Sequence, residues 1–196
     1  MLVPLRFQPA IDGPRDAFHL LLDCHERIRT FTDLAVRLVR LKEIPPRELV
    51  EAVGRVERYF TVGLPLHVLD EDLSLAPRLR EASPPPEVLS VLDELTRQHR
   101  EIDAQIELLL PHWRLLRESP ERHRELAPRL LPESERLAAL MAQHLLLEER
   151  EVLPLARERL SSTHVEALAA EIRARRGQAD GDRLPALTHH PEKRTT

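Results

Sequence analysis

The chain has almost no cysteine. Its 196 residues contain one, Cys24, which rules out an intramolecular disulfide framework and fits a reducing compartment. Long apolar runs are also missing. No stretch approaches the ~18 consecutive apolar residues of a membrane span, and the opening Met1-Leu-Val-Pro-Leu-Arg-Phe-Gln lacks the apolar core of a secretory signal. A surplus of positive charge is absent as well: 29 basic residues face 33 acidic ones, interspersed, for a net charge of −4. No basic stripe of the kind a phosphate backbone requires is present, so nucleic acid is not an expected partner. These absences predict a soluble cytoplasmic protein without a membrane or nucleic-acid partner. Glycine (five residues) and aromatics (one Trp, one Tyr, four Phe) are scarce, while Leu, Ala, Glu and Arg dominate, the composition of an all-α protein.

The length suits one domain with a substantial core. After an irregular N-terminal arm over residues 1–14, residues 15–41 carry a buried stripe at Phe18, Leu21, Leu22, Ile28, Ala35, Leu38 and Val39, with His25 on it. Pro45-Pro46 ends this helix and opens a second, whose stripe is Leu49, Val53, Val56, Phe60, Leu64, His67, Glu71 and Leu75. Gly63 and Pro65 predict a kink or an opened backbone bond just ahead of His67. Ser83-Pro84-Pro85-Pro86 forces a turn into a third helix, from about Glu87 to Arg117, bent at Pro111, with His99 on its inner face. Pro128 and Pro132 make residues 120–132 hard to read as one straight helix, but from Glu133 a fourth stripe is clear: Leu137, Leu140, Met141, His144, Glu148, Val152 and Leu155. Thr163-His-Val-Glu166 matches a capping box and Gly177 a stop, predicting a short fifth helix over 163–176. The expectation is an all-α, up-down-up-down four-helix bundle over residues 15–177, the fifth helix included, followed by a disordered tail over 178–196.

One pattern occurs twice. His67 and Glu71 are four apart, a second acid follows the glutamate, and Pro77 lies ten after the histidine; His144, Glu148, Glu149 and Pro154 repeat every element of this. On a helix the spacing of four puts imidazole and carboxylate on one face, one turn apart, which suits metal ligation.

Chain arithmetic brings the pairs together with two more histidines. In a bundle with short turns, residues equidistant from a turn lie at the same height. Halfway between His25 and His67 is Pro46; halfway between His67 and His99 is Ser83; between His99 and His144 the midpoint falls beside Ser119-Pro120-Glu121. All three are turn signals, so four imidazoles and two carboxylates should share one layer of the core. Six such groups in an apolar layer would each cost about 1–3 kcal/mol if left unpaired, and a metal resolves that cost. Six protein donors exceed one tetrahedral zinc and suit two octahedral first-row ions bridged by the carboxylates. Imidazole and carboxylate without thiolate favour iron, with manganese or zinc as alternatives.

The order His25, His67-x-x-x-Glu71, His99, His144-x-x-x-Glu148, with apolar-Pro endings at Ala76-Pro77 and Leu153-Pro154, resembles the hemerythrin-like (HHE cation-binding) family over residues 15–158. The resemblance implies a four-helix bundle around a non-haem di-iron centre with an oxo or hydroxo bridge. His25 and His67 would bind one iron, His99 and His144 the other, and Glu71 and Glu148 would bridge. Oxygen-carrying members have His-x-x-x-His on the third helix, where this chain has His99-x-x-x-Asp103. Asp103 is therefore a candidate additional ligand or an orienter of His99. Its presence argues against reversible oxygen carriage.

The other histidines read as incidental: His19 and His112 point away from the ligand face, and His123, His164, His189 and His190 belong to turns, caps or the tail. Cys24 reads as an inert buried thiol, Tyr59 and Trp113 as core fillers, and Asp70, Asp72 and Glu149 as solvated acids or partners of the ligands. The functional expectation is a di-iron protein engaging O2, NO or peroxide in sensing, detoxification or iron-centre repair. Rival readings are an oxidoreductase turning over peroxide or NO with an external electron donor, for which no dinucleotide turn or CxxC is visible, and a structural metal site in an interaction module.

Overall fold

A computed structural model of the chain describes residues 16–82 and 85–181. The arm expected over 1–14, part of the Ser83–Pro86 turn, and residues 182–196 of the expected tail lie outside the described residues. Among the described residues every regular element is helical. Helix α1 is Ala17–Arg40; Asp16 caps it by accepting the His19 N–H at 2.9 Å. Helix α2 spans 46–81, with Pro46 in its first turn. Helix α3 is Pro86–Glu118 and runs on through Pro111. Helix α4 spans 120–159 and opens with a 3-10 turn at Pro120–Arg122. Helix α5 is Ser162–Gly181.

Two sequence expectations change here. The stretch 120–132 is helical despite its prolines. Pro128 and Pro132 are four apart on the exposed face, where the carbonyls they leave free are open to solvent, while Leu126, Ala127 and Leu130 bury the opposite face. The fifth helix is longer than 163–176. Ser161, not Thr163, supplies the cap, its Oγ accepting the His164 N–H at 3.3 Å, and the helix passes Gly177, whose φ is not in the left-handed region that would end it.

Helices α2 and α4 each contain π-helical turns: Tyr59–Gly63 and Glu71–Leu75 in α2, Glu148–Val152 in α4. Each closes two residues before a proline (Pro65, Pro77, Pro154). The opened backbone expected near Gly63 is the first of them. The other two start at the two glutamates of the repeat, a placement common at functional sites.

Helix α1 packs on α2 and α4, α3 packs on α2 and α4, and α5 lies against α1 and the 64–75 stretch of α2, making a helical bundle. Its core is in two parts. One holds Ile28, Phe60, Leu64, Ile102, Trp113 and Met141; the other holds Leu21, Leu75, Leu95, Val152, Leu168 and Ile172. Between Leu21 and Ile28 lies His25, between Leu64 and Leu75 lie His67 and Glu71, between Leu95 and Ile102 lies His99, and between Met141 and Val152 lie His144 and Glu148. A polar layer divides the apolar interior.

Candidate metal centre

The six residues singled out by the repeat and the arithmetic form that layer, and all are buried. Each sits on the inner stripe of its helix because its neighbours three or four residues away are the apolar residues of the two core parts. The rings form two edge-on pairs, His25 with His67 at 5.2 Å between centroids and His99 with His144 at 4.8 Å.

Glu71 lies between the pairs. Its Oε1 is 2.9 Å from His67 Nε2, and its Oε2 is 3.0 Å from His99 Nε2 and 3.8 Å from His144 Nε2. Glu148 Oε2 is 3.0 Å from His25 Nε2, 3.7 Å from His144 Nε2 and 3.9 Å from His67 Nε2. Two groups of donor atoms able to hold an ion result: His25, His67, Glu71 and Glu148 in one, Glu71, His99 and His144 in the other, with the atoms of each within 4.8 Å of one another.

These residues fit a metal better than they fit each other. His25 Nε2, His67 Nε2, Glu71 Oε1 and both carboxylate oxygens of Glu148 are buried without a hydrogen-bond partner, although nitrogen and oxygen approach to about 3 Å. The distances are short, but the directions are wrong for N–H···O. Two donors bound at ~2.1 Å and at right angles to one first-row ion would stand about 3 Å apart, and would point at the ion rather than at each other.

Burial opposes charge on every group here, so the neighbours decide which form each takes. Glu71 is held well below the usual carboxylate range despite burial, chiefly by His67. Glu148 is pushed up to about 8 by burial and by the Glu71 charge. His99 rises to about 10, burial being outweighed by Asp72 and Glu71. His67 is likewise raised against burial, by Glu71, Cys24 and Glu148, and His25 by Glu148 and Glu149. Burial and the three other imidazoles force His144 down to about 3. Without metal, protons supply the positive charge that the layer requires.

Around the six donors stands a ring of partners. The acid after each glutamate reaches a histidine on a neighbouring helix: Asp72 Oδ1 is 3.2 Å from His99 Nδ1, and Glu149 Oε1 is 2.8 Å from His25 Nδ1 and is itself held by Arg29. The residue before each of these two histidines, Gln98 before His99 and Cys24 before His25, lies in turn beside the other histidine of its pair. Gln98 Oε1 is 3.2 Å from His144 Nδ1, and Cys24 lies beside His67 without a directed hydrogen bond to its Nδ1. Asp72 and Glu149 are thus partners of the ligands, one of the two roles the sequence left open. Asp70, the third acid, is fully buried among arginines of α5. Gln98 carries no signal in isolation; its position before His99, matching Cys24 before His25, is the clue.

Asp103 does not join the site. It is exposed and belongs to neither donor group. The buried stripe of α3 steps from His99 to Ile102 to Ile106, so a residue four after His99 falls on its flank. Asp72, from the adjacent helix, approaches His99 instead. Of the remaining histidines, His19 is exposed and bonded to Asp16, His164 is exposed, and His123 is buried, its Nε2 donating to the Leu38 carbonyl at 2.8 Å. His123 was expected in a turn; it is a satisfied core residue. His189 and His190 lie outside the described residues. Tyr59 and Trp113 fill the core, stacked on Phe31 and Phe60.

The family model of the hemerythrin HHE cation-binding domain matches residues 16–156, and the chain belongs to that family. That match ends before α5. No curated protein and no solved structure matches the chain. Membership and geometry agree on a metal-binding bundle whose buried His and Glu groups could hold ions. Among the described residues no helix is long and apolar enough to cross a membrane.

Proposed function

We propose that the protein binds two iron ions in this layer and uses them to engage a small diatomic or peroxide ligand, in sensing, detoxification or iron-centre repair. His25 and His67 serve one ion, His99 and His144 the other, and Glu71 and Glu148 link them, in an up-and-down bundle whose short connections support that path. The single observation that carries the reading is the set of buried donor atoms without hydrogen-bond partners on His25, His67, Glu71 and Glu148, each of which would cost about 1–3 kcal/mol if left uncompensated. The two donor groups are unequal, four residues against three. With Asp103 outside the site, the ion at His99 and His144 has the fewer protein donors, so a small ligand binds there.

The test is metal content per chain on protein purified without chelator, with the visible spectrum recorded before and after azide. About two irons, with bridged di-iron charge-transfer bands that azide shifts, support the reading. Zinc alone, or no metal after anaerobic iron loading, overturns it. Consumption of peroxide or NO beyond stoichiometry with a reductant would instead favour the enzyme reading.

A further inference from the structure

Helix α5 lies beyond the family-matched residues, yet it reaches the surroundings of the site. Arg175 Nη1 and Arg176 Nη2 each donate to Asp70 at 2.7 Å, one to each carboxylate oxygen, and Asp70 is fully buried. Arg176 Nη2 also donates to Cys24 Sγ at 3.0 Å, whereas Arg175 turns to Ser74 Oγ. Arg78 and Glu171 add a second tie between α2 and α5 at 2.6 Å.

The two partners of Arg176 outside its own helix have particular neighbours. Cys24 immediately precedes His25 on α1, and Asp70 immediately precedes Glu71 on α2. One guanidinium therefore joins the two helices next to two donors of the same group. His67, the third donor there, is the site histidine whose outer nitrogen has no hydrogen-bond partner and no facing carboxylate or amide; what lies beside it is Cys24. In the other half Gln98 fills that role for His144 directly. A ring that lacks its own orienting bond depends on the packing of its neighbours for a fixed position.

We propose that Arg176 is a positioning residue for the His25/His67 half of the centre: by holding Cys24 and Asp70 at once it clamps α1 to α2 and fixes the His67 ring, so that α5 is a working part of the metal site. The inference rests on the metal-binding reading. It predicts that the two ions depend differently on α5. Lysine cannot replace Arg176: Nη2 makes both contacts while Nη1 is anchored on the Ile172 carbonyl at 2.8 Å, and a lone ammonium has no second nitrogen of the planar fork to hold that aim.

The experiment uses the full chain loaded anaerobically with ferrous iron, then challenged with a chelator while release of each ion is followed. In Arg176→Ala and Arg176→Lys, one ion per chain should leave about tenfold faster or more, with the other at the wild-type rate. Gln98→Ala should speed loss of the opposite ion, so that the two releases differ in spectrum. Arg175→Ala, which shares Asp70 but not Cys24, should lower the melting temperature without selective loss. If Arg176→Ala does not fold, Cys24→Ala should show the same selective release. Parallel loss of both ions, or unchanged release, in a folded Arg176 or Cys24 variant overturns the proposal. A wild-type chain that binds no ion overturns the metal reading itself.

Discussion

Glu71→Gln and Glu148→Gln should have unequal effects, although the sequence repeat makes the two glutamates equivalent. Glu71 has imidazole nitrogens at 2.9 and 3.0 Å; Glu148 has one at 3.0 Å and the others at 3.7 and 3.9 Å. Two carboxylates in one dry layer do not both ionise, and Glu71, with the closer cations, is the one that does. In metal-free protein at pH 7, Glu71→Gln therefore strips the counter-charge from buried His67 and His99. Breaking a buried pair on one side costs roughly 3–5 kcal/mol. At ~2–4 °C per kcal/mol for a chain of this size, even 3 kcal/mol lowers the melting temperature by about 6–12 °C. Glu148→Gln replaces a protonated carboxyl with an amide of the same shape and should cost about 1 kcal/mol or less. Thermal unfolding by circular dichroism in excess chelator measures both. Equal shifts, or a larger one for Glu148→Gln, would refute the charge assignment. Iron loading should narrow the difference, since each variant then lacks a bridging ligand.

The remaining predictions concern packing, protons and the outer partners. Gly63→Ala places a Cβ 2.9 Å from Tyr59 Cδ2, and Tyr59 is stacked on Phe31 at 4.2 Å, so the ring cannot swing away; denaturant unfolding should show a loss of about 1–3 kcal/mol, and an unchanged midpoint would mean that this contact is not tight. In metal-free protein His99, raised to about 10, contributes stability that is complete below its unfolded value of about 6.5 and is lost as pH rises toward 10. Glu148, raised to about 8, acts in the same sense from about pH 4.5 upward, whereas His144, lowered to about 3, makes stability rise between about pH 3 and 6.5. The Glu148 and His144 contributions offset each other between about pH 4.5 and 6.5, so melting of chelated protein should be highest across that window and fall on its alkaline side, a fall that iron loading removes; a flat alkaline limb in chelator would contradict the assignment. Asp72→Asn should weaken iron retention ~10-fold or more and also lower the metal-free melting temperature at neutral pH, because Asp72 helps hold His99 protonated, whereas His112→Ala should change neither; equal losses in the two would mean that the contact from Asp72 to His99 is unimportant.

The layer was legible because its signal is periodic. His25, His67, His99 and His144 each fall on an apolar stripe, and the Pro46, Ser83–Pro86 and Ser119–Pro120 breaks lie midway between them, so helix heights followed from counting. Asp103 was misplaced because counting by four from His99 ignores how the stripe advances, by three and then four, from His99 through Ile102 to Ile106. The helix over 120–132 was obscured because proline is read as a breaker without knowing that Pro128 and Pro132 face solvent. Contacts made by residues far apart in the chain carried no local signal: Arg176 with Cys24, 152 positions away, and Gln98 with His144 are fixed only by packing.

The repeat is more than a pair of ligand motifs, because its prolines shape the backbone that presents them. Pro77 and Pro154 have no N–H for the α-helical bond and crowd the carbonyl four residues back. The residue before each, Ala76 or Leu153, bonds five back instead, to the carbonyl of Glu71 or Glu148. The extra residue in each turn lets the glutamate face the layer while the next acid, Asp72 or Glu149, reaches a histidine on a neighbouring helix. Pro77→Ala and Pro154→Ala restore the missing donor and permit an ordinary α-helical turn, which would displace those acids. Each should lower iron content at least severalfold while leaving the metal-free melting temperature unchanged or higher, as expected when proline gives way to a good helix former. Full iron retention with a lowered melting temperature would show that the π turns serve packing alone, and that the glutamates hold their positions without them.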